Sequence, residues 1–126
     1  YILLIKNNIV MKIIDLHVHC RDEEWKYKST IRDVLELAKE KNLVAIADMP
    51  NVPSPVVSKD RVLERLNLVP KKFKDMYFLW VGLTGEKEQV LEAVECYDNF
   101  EEVIGLKLFA GRSVGPLSVI GELEQK

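Results

Sequence analysis

The segment Asp15-Leu-His-Val-His-Cys-Arg-Asp22 sets the only two histidines of the chain, His17 and His19, one residue apart within an apolar run. In a β-strand, residues i and i+2 point to the same side, so both imidazoles can address one metal ion. The adjacent Arg21 offers a planar fork for an anionic substrate. Cys20 falls on the opposite side and is not expected to join the ligands. The same spacing suits two ordinary strand histidines, so the segment alone leaves metal binding open.

Outward from this segment, from Met11 on, apolar β-rich runs alternate with stretches of helical period, the mark of βα units on a parallel sheet. Strands are expected at 12–19, 43–49, 76–83 and 103–109. The helices between them show apolar faces: Ile31, Val34, Leu35 and Ala38 in the first, Val62, Leu63 and Leu66 in the second, Val90, Leu91 and Val94 in the third. Thr30, Ser58 and Thr84 are placed as N-caps, Asn42 as a left-handed residue closing the first helix, and Pro70 as a stop after the second. A (β/α)8 barrel needs about 250 residues and carries its active site at the C-terminal ends of its strands. The polar residues fall at such ends: His17, His19 and Arg21 at the first strand, Asn51 after the second, Lys107 late in the fourth. The expected fold class is α/β, the N-terminal portion of a (β/α)8 TIM barrel with about four strands and three helices. At 126 residues the chain is expected to be truncated, with unpaired edges on the first and fourth strands.

A chain with 48% hydrophobic and 30% charged residues and a net charge of -2 has an ordinary globular balance. No basic arm suggests nucleic acid, and Lys71, Lys72 and Lys74 read as a solvated loop. Cys20 and Cys96 are too few for a disulfide framework, and nothing resembles a secretory signal, so a reducing cytoplasm is expected. Ile2 to Ile5 is too short for a membrane span, and no membrane partner is expected. Residues 1–10 are assigned to a non-barrel extension and 11–126 to the barrel portion. An over-extended reading frame before Met11 is the favoured origin of that extension, with a remnant of an upstream strand as the alternative.

Two further segments, Asp48-Met-Pro-Asn51 and Gly105-Leu-Lys-Leu-Phe-Ala-Gly111, each end an apolar strand. With residues 15–22, and in this order, they resemble the signature of dihydroorotase, a metal-dependent cyclic amidohydrolase of the amidohydrolase superfamily. Its pattern is a first strand ending His-x-His-x-Arg-Asp, a second ending Met-Pro-Asn followed by prolines, and a later Lys-Leu-Phe or Lys-Leu-Tyr strand. The resemblance runs from around Met11 to the last residue and covers the first half of such an enzyme.

The resemblance implies a reversible hydrolysis of the cyclic amide of (S)-dihydroorotate to N-carbamoyl-L-aspartate in pyrimidine (UMP) biosynthesis. It makes His17 and His19 zinc ligands and makes Lys107, carboxylated by CO2, the bridge between two zinc ions where the centre is binuclear. An apolar strand favours the uncharged amine that reacts with CO2; a lysine there can instead snorkel to the barrel rim. Arg21 and Asn51 become contacts to the substrate carboxylate, although Asn51 after Pro50 also suits a turn. Asp15 and Asp22 are expected to orient neighbours or brace the loop. The family's general-base Asp and its further histidine ligands are expected beyond residue 126, so no catalytic residue is assigned here and the chain alone is expected to be inactive. The resemblance also admits a homo-oligomer or association with aspartate carbamoyltransferase. One departure is Glu23-Glu24-Trp25, where the family has Pro-Gly after Arg-Asp. Other cyclic amidohydrolases of the allantoinase or hydantoinase type, a non-catalytic dihydroorotase-like scaffold, and a gene fragment are the competing readings.

Overall fold

In the computed structural model, which describes residues 2–5 and 8–110, the expected alternation becomes a four-stranded parallel sheet. A hairpin of β1 (Ile2–Ile5) and β2 (Asn8–Met11) comes first, with Ile2 opposite Met11 in an antiparallel sheet of its own. There follow β3 (Ile13–Val18), α1 (Ile31–Glu40), β4 (Leu43–Asp48), α2 (Lys59–Leu68), β5 (Tyr77–Leu83), α3 (Lys87–Asn99) and β6 (Val103–Leu108). The sheet order is β3-β4-β5-β6, and each neighbouring pair is parallel. Each strand lies within a residue of its expected bounds at both ends. This is a partial (β/α) barrel, with β3 and β6 as its edges among the described residues. The expected connection after the fourth strand, residues 111–126, lies outside the described residues.

One layer of the core forms where the helices cover the sheet. Ile31 and Leu35 of α1, Val62 of α2, and Ala93 and Cys96 of α3 pack with Ile46, Leu79, Val81 and Val103 of the strands. Ala45 and Ala47 are buried as well but stand outside that cluster, on the opposite face of β4, which strand alternation assigns to the barrel interior.

The helix starts follow local chemistry. Thr30 closes a full capping box, accepting from Asp33 N while Asp33 accepts from Thr30 N, and the Ser58 side chain accepts from Arg61 N. Asn42 takes φ 61° after α1, as expected. Thr84 is not a cap: α3 begins after Glu86, and Gln89 reaches back to Thr84 N at 2.9 Å. Pro70 opens a 3-10 turn, Lys71–Met76, whose three lysines are exposed. Among the described residues no helix is long and apolar enough to cross a membrane.

Two helix faces depart from the sequence reading. In α2, Leu63 is 41% exposed while Arg65 is 1% exposed. In α3, Leu91 and Val94 are exposed, and the small residues Ala93 and Cys96 face the sheet. The apolar residues of α3 spread over more than half of its circumference, so periodicity alone does not choose a narrow face. Packing selects the small ones, which let the helix approach β5 and β6 closely.

Candidate active site

The edge strand β3 is irregular where the chemistry begins. Asp15 pairs with Ile46 and Val18 with Asp48, so three steps on β3 face two on β4. Such a bulge re-aims side chains at a sheet rim. Here it releases the Leu16–His17 peptide from the ladder. The His17 N–H donates to Asp15 Oδ1 at 3.0 Å, and Leu16 O accepts from Trp80 Nε1 at 3.0 Å. His17 is exposed and His19 half-buried, with ring centroids 5.2 Å apart in an edge arrangement.

The loop after β3 is anchored by a buried ionic network. Asp48 Oδ1 accepts from Cys20 N at 2.9 Å, and Asp48 Oδ2 accepts from Tyr77 Oη at 2.8 Å and from Arg65 Nη2. Arg65 also reaches Asp22 Oδ2 and Cys20 O, each at 3.3 Å. Asp22 Oδ2 accepts from Ile31 N at 3.1 Å, which braces the start of α1. Burial holds the Asp22 carboxyl above the usual carboxylate range, with Arg65 pulling it down. Burial pushes the Cys20 thiol well up and Asp48 adds to that, and Cys20 is fully buried in the core.

Arg21 is held on two sides. Its Nη1 donates to Asn51 O at 2.7 Å, and its guanidinium carbon lies 5.1 Å from the centre of the Trp25 ring. Trp25 comes from the loop that departs from the dihydroorotase pattern. In that loop Glu23 adopts φ 60°, a left-handed backbone costing about 1–3 kcal/mol. Its carboxylate pairs with Arg61 and accepts from Ser54 N at 3.3 Å, clamping this loop onto the one after β4. Asn51 is 2% exposed in a turn organised by Pro50 O, which accepts from Val52 N and Val56 N at 3.0 Å each.

These elements bring all five sequence-selected residues together. His17, His19, Arg21, Asn51 and Lys107 line one cleft of about 580 Å³ with Leu108, Phe109 and Ala110. Lys107 Nζ lies 5.6 Å from the centre of the Phe109 ring. Burial, Arg21 and His17 hold the His19 imidazole below its ordinary value, against the opposing pull of Asp48 and Asn51. The neutral ring is the form that ligates a metal. Its Nδ1 is shielded from solvent and has no hydrogen-bond partner among the described residues, leaving an open nitrogen donor. The donor set therefore fits part of a divalent-metal centre. Among the described residues no three or more His, Cys, Asp or Glu converge on one point.

Sequence reasoning passed over Arg65, Tyr77, Trp80 and Trp25. One signal was available: Asp48 ends the otherwise apolar strand Leu43–Ala47, and a buried carboxylate demands a cationic or hydrogen-bonding partner.

No family model matches the chain. Among curated proteins it is 33% identical over 89 residues to the dihydroorotase of Thermococcus kodakarensis, covering 68% of this chain and 22% of that protein. It is 32% identical over 77 residues to the dihydroorotase of Sulfurisphaera tokodaii, covering 61% and 20%. The match to the dihydroorotase of Pyrococcus furiosus is 33% over 79 residues, covering 63% and 19%. The chain thus spans about a fifth of the length of the curated relatives it matches. With a partial (β/α) barrel whose polar residues gather at the C-terminal rim of its strands, it is by sequence a relative of the dihydroorotases, matched over that fraction of their length.

Proposed function

We propose that the cleft is one part of a dihydroorotase active centre, which hydrolyses the cyclic amide of (S)-dihydroorotate to N-carbamoyl-L-aspartate, reversibly, in cytoplasmic pyrimidine biosynthesis. The observation that carries this reading is the convergence of His17, His19, Arg21, Asn51 and Lys107, from three separate segments, on one cleft. His17 and His19 would hold zinc. Lys107 would add a third ligand after its amine attacks CO2, forming an N–C bond and releasing one proton to give an anionic carbamate. When bound, zinc supplies Lewis acidity toward the amide carbonyl and its attacking water. Arg21, fixed by Asn51 O and Trp25, would orient the substrate carboxylate through its remaining N–H groups, and Asn51 would add a polar contact.

The same cleft has only two imidazoles and no third His, Cys, Asp or Glu donor among the described residues. Catalysis in this proposal therefore needs residues beyond these, and the chain alone is expected to be inactive. With zinc and bicarbonate the chain should bind N-carbamoyl-L-aspartate, turn over dihydroorotate negligibly, and lose about tenfold or more in affinity on Arg21→Met. Robust turnover would overturn the predicted inactivity. Equal affinity for hydantoin, which lacks the carboxylate, would overturn the substrate assignment.

A further inference from the structure

We propose that Trp80 is a positioning residue for His17, acting through the Leu16–His17 peptide; this rests on the reading of His17 as a metal ligand. A residue in a regular strand has its backbone direction set by the ladder. At the β3 bulge the ladder does not do so, and two side chains take over. The carbonyl of the Leu16–His17 peptide accepts from Trp80 Nε1 at 3.0 Å, and the N–H of the same peptide donates to Asp15 Oδ1 at 3.0 Å. Carbonyl and N–H of a trans peptide point in opposite directions, so the plane is gripped from both sides. That plane fixes where the His17 side chain leaves the backbone.

The indole reaches this position because its surroundings are cleared for it. Trp80 projects from β5, and its bond to Leu16 O reaches β3 across the intervening strand β4. On its other side it lies over Gly105 of β6: a Cβ there would stand 2.7 Å from Trp80 Cζ3 and 3.1 Å from Cε3. Gly105 thus belongs to the same device, since any side chain at that position would push the ring away from Leu16. One aromatic side chain thus spans from the strand of the histidines to the strand of Lys107.

The test is cobalt(II) titration of the 126-residue chain, followed by its visible absorption, together with amide hydrogen exchange at His17. Trp80→Phe keeps an aromatic ring and removes the N–H. A second variant replaces Trp80 by benzothienylalanine in a Trp25→Phe background, which keeps the bicyclic shape and substitutes sulfur for the N–H, with Trp25→Phe alone as its control. Both changes at position 80 are expected to weaken cobalt binding about tenfold, the range of lost outer-shell support, and to speed exchange at the His17 amide while β5–β6 amides keep their protection. Cobalt affinity and His17 exchange in the benzothienyl variant equal to those of the Trp25→Phe control would overturn the positioning role and leave the metal reading intact. A parent chain that takes up no cobalt would overturn the metal reading, and the proposal with it.

Discussion

Arg65→Met tests whether the Asp48 network holds the site loop in place. Arg65 and Asp48 are 1% and 2% exposed, and the guanidinium also serves Asp22 and Cys20 O. Burial works against the Arg65 charge, but the carboxylates of Asp48 and Asp22 favour it and the group stays protonated. Methionine refills most of the stem volume, so the dominant loss is the partner of a buried carboxylate, worth about 3–5 kcal/mol. Cys20 N–H and Tyr77 O–H remain on Asp48, which places the expected cost near the lower end, about 3 kcal/mol. Against a total of about 5–15 kcal/mol for a domain, that is a large fraction. In urea unfolding followed by circular dichroism, it lowers the midpoint by about 1–3 M with an unchanged slope. Asp48→Asn combined with Arg65→Met should cost less than the sum of the single changes, by about 1–3 kcal/mol. A loss below about 1 kcal/mol for Arg65→Met, or strict additivity in the double variant, would refute the network's role.

Other consequences follow from the same geometry. Because the folded His19 imidazole sits below the ordinary 6.5, the unfolded chain binds its proton more readily. Stability should therefore hold above about pH 6.5 and decline as the pH falls below it. An NMR titration placing His19 at or above that ordinary value, or an unchanged acid limb in His19→Asn, would contradict this. Gly105→Ala should cost about 1–3 kcal/mol and alter the Trp80 emission, since the added Cβ meets a ring already tied to Leu16 O; a neutral substitution would show that the ring is loosely held. Thr30→Ala should cost about 1 kcal/mol by thermal or urea unfolding through loss of the capping box, and no change would remove the cap from the account.

The strands were legible because each is an apolar run bounded by caps and turns, signals that reside within a few neighbouring residues. The helix faces were legible only where one stripe dominates. Ile31, Leu35 and Ala38 pack as expected, whereas Leu91 and Val94 of α3 do not, because its apolar residues spread over more than half of its circumference. Arg65 reads as a surface residue in any local window: its partners Asp48 and Asp22 lie 17 and 43 positions away, and only the fold brings them together. The candidate site was readable for a related reason. His17, His19 and Arg21, Asn51, and Lys107 each stand in a short local motif, and parallel strands joined by helices bring their C-terminal ends to one rim, so the motifs meet. The bulge that turns His17, the Trp80 bond to Leu16 O, and the Trp25 support of Arg21 depend on register and loop conformation, which periodicity does not encode.

The most direct test of the central claim is the zinc content of the chain after dialysis in bicarbonate buffer, measured by plasma mass spectrometry alongside His17→Ala/His19→Ala and Lys107→Ala. If the cleft is a metal centre, the parent retains zinc, the double histidine variant retains none, and Lys107→Ala retains less. Zinc retained equally by the parent and the double histidine variant, or by neither, would contradict it.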